Sequence, residues 1–230
     1  MQSYWLKKEN SSSLLIFFTG WGMKPASTGH LKITNHDLLV IYDYREMHVD
    51  ELKISGNYND IMIVAWSMGV LAAAYIMQEA ALKPTLAIAI NGTGVPISDQ
   101  YGIPVDIYTG TTQTLSDHSL KKFLLRMCGS KTGYDKFMEN HVIADIPSLK
   151  DELIAIEKKQ HDYSFKQKWD HAILCQNDSI FPYANMYAYW DGKVQDIISI
   201  QAPHFPFFIW DSWTSIIDFC KEKKDGKGFN

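Results

Sequence analysis

Short runs of consecutive hydrophobic residues, each closed by a polar turn, recur along this chain. Near-continuous hydrophobicity, as opposed to alternation of apolar and polar positions, is typical of strands that are buried on both faces of a parallel sheet. Six runs of this kind predict strands, at residues 14–18, 38–42, 61–65, 86–90, 173–175 and 197–200.

Helical patterns separate several of these strands, at residues 68–81, 183–190 and 207–221. Strands that alternate with helices favour an α/β fold with an open, doubly wound and mostly parallel sheet. The segment 111–170 interrupts this alternation, because it has no convincing strand but three helical patterns, at 116–128, 133–140 and 147–161. We interpret this segment as a helical lid insertion above the sheet, within one domain that spans residues 1–230. The last six residues, 225–230, are expected to be a frayed tail.

Length and charge fit this picture and exclude some functions. A chain of 230 residues with 46% hydrophobic residues and a net charge of −4 suits one α/β domain. There is no basic run and no positive balance, so nothing favours binding to nucleic acid. The lid segment carries a net charge of +1 and the remainder −5, and this modest asymmetry lies over the predicted sheet.

Cysteine usage and the amino terminus indicate the compartment. Cys128, Cys175 and Cys220 are few, odd in number and widely spaced, which suggests neither a disulfide framework nor a zinc site. The first ten residues are not followed by an apolar segment of signal-peptide length, and no apolar run approaches the ~20 residues of a membrane helix. We therefore expect a cytoplasmic protein with no membrane partner. A monomer is a separate expectation.

The run 61–77 carries the strongest candidate for chemistry. It reads as a buried strand, a tight turn that contains Ser67, and an apolar helix with Gly69 in its first turn. This pattern is typical of a nucleophile elbow, in which a sharp strand-to-helix turn exposes a serine hydroxyl at the end of a parallel sheet. The usual sequence is G-x-S-x-G, and here it is Ala65-Trp66-Ser67-Met68-Gly69, with an alanine methyl at the first small position. The alternative is an ordinary strand-turn-helix with a surface serine.

A serine nucleophile needs an imidazole base, which in turn needs an acceptor that fixes its tautomer. In the α/β-hydrolase fold these follow the serine in the order Asp or Glu, then His, on loops after later strands. Asp178 lies in the loop after the predicted strand 173–175, and His204 lies between strand 197–200 and the final helix. The order and the strand ends predict a triad of Ser67, Asp178 and His204.

Two other acids and a structural role compete for the position of the acid. Asp170 precedes its strand and so lies at the wrong end of the sheet, while Asp191 follows a helix in an Asp-Gly turn. Taken alone, Asp178 would be an ordinary turn residue between a strand and a helix. Its place in the order favours the catalytic interpretation.

An oxyanion intermediate also needs hydrogen-bond donors that are in place before the reaction. In this fold one is the backbone N–H after the nucleophile, here Met68, and the other comes from the loop after an early strand. Gly20 and Gly22 follow strand 14–18 and allow the backbone to turn its amides inward, so Trp21 is the predicted second donor. A simple glycine turn is the alternative.

Several short motifs, taken together and in this order, resemble the BioG family. They are Thr19-Gly20-Trp21-Gly22-Met23, Tyr42-Asp43-Tyr44-Arg45, Ala65-Trp66-Ser67-Met68-Gly69-Val70, Asn91-Gly92-Thr93 and His204-Phe205-Pro206-Phe207. Residues 123–129 also resemble that family's lid region, and the resemblance extends from residue 14 to about residue 210. Members are α/β-hydrolase-fold esterases that act on pimeloyl-acyl-carrier-protein methyl ester in biotin synthesis. The resemblance implies Ser67 as nucleophile, His204 as base, Asp178 as acid, and no metal or organic cofactor.

The implied substrate has a seven-carbon chain, with a methyl ester at one end and a carrier-protein thioester at the other. Such a chain needs an apolar channel, whose candidate lining residues are also plausible as plain core: Trp21, Trp66, Met127, Phe205 and Phe207. Acyl-carrier proteins are acidic, and a basic lid surface would steer them. The candidate lid residues are Lys121, Lys122 and Arg126, for which a solvated helix face is the alternative explanation.

Two other functions fit the same residues. One is a general carboxylesterase or thioesterase that uses the same triad, and the other is a hydrolase-fold protein that binds a ligand or partner without catalysis. The second is disfavoured because a protein that only binds has no need for all three triad residues.

Overall fold

Seven strands form a central sheet in the computed structural model, which describes residues 1–52, 54, 57–140, 144–162 and 168–224. The strands are β1 (Gln2–Lys7), β2 (Ser13–Phe18), β3 (Asp37–Tyr42), β4 (Asp60–Trp66), β5 (Leu86–Ile90), β6 (His171–Cys175) and β7 (Asp196–Ile200). Their order across the sheet is β1-β3-β2-β4-β5-β6-β7, so β4 lies at the centre. The strands from β2 to β7 pair in parallel, which confirms the mostly parallel sheet predicted from the sequence.

Five of the six hydrophobic runs are buried as their pattern predicts, whereas the run in the edge strand β7 has one buried residue, Ile198. Every residue of β5 and of β6 is buried, and so are the last five of the six residues of β2. The six predicted strands are present, each within two residues of the predicted bounds. Helices cover both faces of the sheet in this class of fold, and for this reason its central strands are composed mostly of apolar residues.

The hydrophobic pattern does not predict β1. This strand pairs antiparallel with β3, from Gln2 opposite Tyr42 to Lys7 opposite Leu38, at the edge of the sheet. Its residues are exposed or only half-buried, and the Tyr4 side chain is 52% exposed. An edge strand with so little burial needs few apolar residues and therefore gives a weak sequence signal.

Seven α-helices lie within the described ranges: α1 (Gly69–Glu79), α2 (Val105–Gln113), α3 (Asp117–Cys128), α4 (Lys131–Met138), α5 (Ile146–Asp162), α6 (Tyr183–Trp190) and α7 (Trp213–Lys224). The segment predicted as the lid, 111–170, contains α3, α4 and α5. Helix α2, which the sequence did not predict, begins just before that segment and also lies between β5 and β6.

Local sequence sets the ends of the lid helices. The Ser116 hydroxyl accepts the Ser119 amide while the Ser119 hydroxyl accepts the Ser116 amide, which forms a capping box at the start of α3. Gly129 ends this helix with a φ of 73°. The Ser130 hydroxyl then accepts the Gly133 amide and begins α4 at once. The two helices therefore meet at a sharp, sequence-encoded turn.

The final helix begins later than the sequence predicts. The prediction placed its start at residue 207, but a short 3-10 turn occupies Phe207–Ile209 and α7 begins at Trp213. The Ser212 hydroxyl accepts the Ser215 amide at 3.0 Å and so caps the true start of the helix. The apolar residues before that point belong to the turn that follows His204.

No helix among the described residues is long and apolar enough to span a membrane. The predicted tail, 225–230, lies outside the described residues.

Candidate active site

Ser67 occupies a strained turn between β4 and α1. Its φ is 58°, in the left-handed region that non-glycine residues rarely adopt, and its amide donates to the Ile90 carbonyl at 2.9 Å. A side chain at Gly69 would overlap the carbonyl oxygens of Thr19 and Phe18, so the second small position must be glycine. This geometry is that of a nucleophile elbow.

The alanine at the first small position fits without distortion. Ala65 is fully buried and lies between Phe18 of β2 and Ala89 of β5 in the sheet register. Because its neighbour on one side is also alanine, the extra methyl group is accommodated.

The structure brings the three predicted side chains together at the carboxyl ends of β4, β6 and β7. The His204 Nε2 atom lies 3.0 Å from the Ser67 Oγ atom, and the His204 Nδ1 atom lies 2.6 Å from the Asp178 Oδ2 atom. His204 is 1% exposed and the Asp178 side chain is 0% exposed. A buried imidazole held between a carboxylate and a serine hydroxyl can remove the hydroxyl proton and stay in the required tautomer.

Asp178 makes the hydrogen bonds that both interpretations from the sequence require. One carboxylate oxygen, Oδ1, accepts the amides of Ile180 (2.7 Å) and Phe181 (2.9 Å), as a turn aspartate does. The other oxygen faces His204. The Phe181 ring in turn stacks on the imidazole, with planes 4° apart and centroids 5.7 Å apart. The turn therefore fixes both the acid and the ring that it orients.

Two side-chain donors hold the backbone of His204. Its carbonyl oxygen accepts the Trp66 indole N–H at 2.8 Å and the Asn91 amide group at 2.9 Å. The Asn91 Oδ1 atom also accepts the Cys175 amide at 2.8 Å, at the end of β6. Trp66, which precedes Ser67, and Asn91, which follows β5, thus anchor the loop that carries His204.

The loop after β2 approaches Ser67 closely. A side chain at Gly20 would lie 2.8 Å from the Trp66 ring and 3.3 Å from the Ser67 Cβ atom. Trp21 follows in this loop, and its indole N–H donates to the Leu149 carbonyl of α5 at 2.8 Å. Met68 follows Ser67 at the N-cap of α1. The roles of the Trp21 and Met68 amides as oxyanion donors remain predictions.

A narrow cavity of about 60 Å³ lies over Ser67 and His204. Three of the predicted channel residues, Trp21, Trp66 and Met127, line it. Phe205 and Phe207 do not lie in its lining. Both are buried in an aromatic cluster behind Trp66, with centroids 5.3 and 5.5 Å from its ring, because the turn after His204 directs them into the core.

Sequence reasoning missed the part of this cavity that α2 and its neighbours supply. The missed lining residues are Ile103, Ile107, Tyr108, Thr111, Phe123, Leu153, Ser179 and Ile180. Helix α2 contains Gly110 and several threonines and follows Pro104, a composition that gives no clear helical pattern. The only available signal was the apolar spacing of Ile103 and Ile107.

The three predicted lid cations lie on α3, and all are exposed. Arg126 borders the cavity, whereas Lys121 and Lys122 lie outside its lining. Their role in binding a carrier protein remains a prediction.

Neither of the two cysteines nearest to this region competes with Ser67 as a nucleophile. Burial raises the pKa of the Cys128 thiol to about 12, and it raises the pKa of the Cys175 thiol to the same value. Since the thiolate is the reactive form of cysteine, both thiols are inert near neutral pH.

Comparison with known proteins gives a family and several relatives. The family described as "Pimeloyl-ACP methyl esterase BioG" matches residues 1–216. The crystal structure of BioG from Haemophilus influenzae superposes with a TM-score of 0.86 at 30% identity, covering 94% of this chain and 99% of that chain. These matches confirm the fold class that the motifs predict.

Two protein sequences are also similar. A protein of Haemophilus influenzae (strain ATCC 51907 / DSM 11121 / KW20 / Rd) is 34% identical over 211 residues, which cover 89% of this chain and 94% of that protein. A Bacteroides fragilis (strain 638R) protein named malonyl-[acyl-carrier protein] O-methyltransferase is 38% identical over 192 residues, or 83% of this chain. The chain spans only 39% of the length of this second relative.

Proposed function

Because this chain belongs to the BioG family of α/β-hydrolases, we propose that it is a serine esterase acting on the methyl ester of pimeloyl-acyl-carrier protein. The products are pimeloyl-acyl-carrier protein and methanol, and the reaction serves biotin biosynthesis in the cytoplasm. The observation that carries the proposal is the hydrogen-bonded series from Ser67 through His204 to Asp178, which lies at the base of an apolar cavity.

The reaction begins with attack by Ser67 on the methyl ester carbonyl. His204 accepts the hydroxyl proton at Nε2, and Asp178 stays ionised and stabilises the imidazolium. The amides of Met68 and Trp21 stabilise the oxyanion that forms on the carbonyl oxygen. His204 then donates its proton to the departing methoxide, so methanol leaves and the acyl group remains on Ser67.

A water molecule completes the cycle. His204 accepts a proton from the water as it attacks the acyl-enzyme, and then returns that proton to the Ser67 oxygen. The product carries a free carboxylate at the end of its chain, and the carrier remains attached through the thioester. This chemistry requires no metal or organic cofactor.

The cavity and the lid supply specificity. The apolar side chains of Trp21, Trp66 and Met127 contact the methylene chain, together with Ile107 of α2 at the cavity edge. The acyl chain of the substrate extends past Arg126 towards the protein surface. Lys121 and Lys122, on the same helix as Arg126, attract the acidic carrier. The carrier and its thioester thus stay outside, while the methyl ester reaches Ser67.

Complementation of a biotin auxotroph that lacks its own pimeloyl ester hydrolase tests this function. The wild-type gene should restore growth without biotin, and Ser67→Ala expressed at the same level should not. Failure of the wild-type protein, together with hydrolysis of short free esters in vitro, would instead favour a general carboxylesterase or thioesterase. Absence of fluorophosphonate labelling at Ser67 would favour a protein that binds without catalysis.

A further inference from the structure

A buried acid on the lid has no place in the chemistry described above. Glu152 lies on α5 and is 4% exposed. Its carboxylate accepts two backbone amides from different loops: Oε2 accepts the Gly22 amide at 3.0 Å, and Oε1 accepts the Tyr44 amide at 3.0 Å. These loops follow β2 and β3, so one side chain of the lid joins two adjacent strand ends of the sheet.

The loop after β2 is the one that carries Trp21, and contacts hold it on both sides of that residue. The Tyr44 hydroxyl donates to the Thr19 carbonyl at 2.7 Å, and the Thr19 amide donates to the Ile41 carbonyl at 3.0 Å. On the other side, Glu152 holds the Gly22 amide. The peptide that bears the Trp21 amide therefore lies between two fixed points, and Glu152 supplies one of them.

The charge of Glu152 is unfavourable where it lies. Burial raises the pKa of its carboxyl from 4.5 to about 7, although both backbone amides act in the opposite direction. The nearby guanidinium of Arg45 pairs with Asp43 at 2.6 Å instead. A neutral glutamine would avoid this penalty, but its NH₂ group would face one of the two amide donors. The carboxylate, which predominates above about pH 7, presents one acceptor oxygen to each amide.

We infer that Glu152 is a positioning residue that holds the loop of Trp21, and with it the second oxyanion donor, in the geometry needed for catalysis. The inference rests on the ester hydrolysis at Ser67 proposed above. Glu152 touches neither the substrate nor the reacting atoms, and it acts through the Gly22 amide. This positioning role also gives a function to Tyr44 of the motif Tyr42-Asp43-Tyr44-Arg45. The Tyr44 amide donates to Glu152, and the Tyr44 hydroxyl donates to the Thr19 carbonyl.

Kinetics of Glu152→Gln and Glu152→Ala on p-nitrophenyl acetate test this role at pH 8, where the wild-type carboxyl is mostly ionised. Glutamine keeps one acceptor and the side-chain volume, so this variant should fold even if the alanine variant does not. A misplaced oxyanion donor should lower kcat about tenfold in the glutamine variant and further in the alanine variant, with KM within about twofold of wild type. Asp151→Asn, an exposed acid on the same helix, should keep wild-type kinetics.

Two further measurements separate positioning from a purely structural role. Stoichiometric titration with a fluorophosphonate counts the folded active sites, and kcat is expressed per site. The affinity of an alkyl trifluoromethyl ketone, which forms a tetrahedral oxyanion on Ser67, should fall by the same factor as kcat/KM. An unchanged kcat per site, or a raised KM with unchanged kcat, would overturn the inference. Because p-nitrophenyl acetate needs no carrier, this result does not depend on whether the carrier-linked ester is the natural substrate.

Discussion

At the scale of single residues, the candidate site depends on groups that flank the triad as much as on the triad itself. The proximity of Ser67, Asp178 and His204 could be predicted because their order and their places at strand ends are visible in the sequence. The two side chains that donate hydrogen bonds to the His204 carbonyl could not be predicted from the sequence. Trp66 is 138 positions away from His204 and Asn91 is 113 positions away, and nothing in one sequence pairs them.

Removal of the indole donor tests the anchoring of His204. Trp66→Phe keeps an aromatic ring but loses the N–H that donates to the His204 carbonyl. We expect kcat to fall about tenfold with little change in KM, since displacement of a catalytic group by a fraction of an ångström has effects of this order. Steady-state kinetics on a short ester measures both constants.

Trp213→Phe is the matched control. Trp213 is fully buried in the same aromatic cluster, 6.1 Å from the Phe207 ring, and its indole N–H has no hydrogen-bond partner among the described residues. It should lose stability but keep kcat. An equal loss of kcat in both variants would assign the effect to core packing alone.

The raised pKa of Glu152 makes stability depend on pH. In the folded protein this carboxyl binds its proton up to about pH 7, whereas in the unfolded chain it ionises near 4.5. The folded state binds more protons between these values, so stability falls as the pH rises through this window. From the size of the shift, wild type should lose roughly 2–3 kcal/mol between pH 5 and pH 8 relative to Glu152→Gln.

Urea unfolding of both proteins at pH 5 and pH 8 measures this difference. Asp151→Asn should follow wild type, because Asp151 is exposed. Parallel pH dependences of wild type and Glu152→Gln would contradict the account of a buried, destabilised carboxylate.

At the scale of elements, the sequence pattern predicted the parallel strands, including the edge strand β7, but it did not predict the antiparallel edge strand β1. Buried strands need continuous apolar runs, and the sequence therefore located β2 to β6. Three isoleucines made β7 recognisable as well, although only Ile198 is buried. The edge strand β1 and the helix α2 lack a strong pattern because much of their surface meets solvent, as Tyr4 and Ile107 show with 52% and 59% exposure. Helix α2, which the sequence pattern did not predict, matters for the site because it supplies one wall of the cavity.

The contact between the loop after β5 and the elbow can be tested with one methyl group. A side chain at Gly92 would overlap the Ser67 carbonyl oxygen, and its Cβ atom would lie 2.9 Å from the Ser67 Cα atom. Gly92→Ala must therefore displace the elbow, and we expect at least a hundredfold lower kcat/KM as Ser67 moves away from His204.

Gly110→Ala provides the comparison. Gly110 lies within α2 and a side chain there would have nothing within 4 Å, so alanine should raise stability by up to about 1 kcal/mol and leave kcat unaltered. Thermal melts of both variants measure their stability, and initial rates measure their activity. Normal activity in Gly92→Ala would show that the elbow tolerates the displacement.

At the scale of the whole molecule, the lid is the part whose function is least visible in the sequence. It contributes to the cavity through Phe123, Met127 and Leu153, and it holds the loop after β2 through Leu149 and Glu152. Its outer face carries the lysines proposed to attract the carrier. One insertion thus lines part of the cavity, holds the loop after β2 and carries the lysines that we propose as a docking surface.

Charge reversal of the lid separates carrier recognition from catalysis. Lys121→Glu combined with Lys122→Glu should lower kcat/KM for the carrier-linked ester by about tenfold or more at low salt, and less at high salt. The same variant should hydrolyse p-nitrophenyl acetate normally, because neither lysine lines the cavity. Lys83→Glu with Lys168→Glu serves as the control, because these exposed lysines precede β5 and β6 and lie at the end of the sheet opposite to Ser67. Equal effects of both pairs on the carrier-linked ester would contradict a specific docking surface.

The most direct test of the central claim is mass spectrometry of the carrier after incubation of purified protein with pimeloyl-acyl-carrier-protein methyl ester. The account predicts that the carrier loses the methyl group and keeps its thioester, with one methanol released per carrier. It also predicts that Ser67→Ala reduces the rate by roughly four orders of magnitude or more. Release of the free carrier thiol, or near-normal turnover by Ser67→Ala, would contradict it.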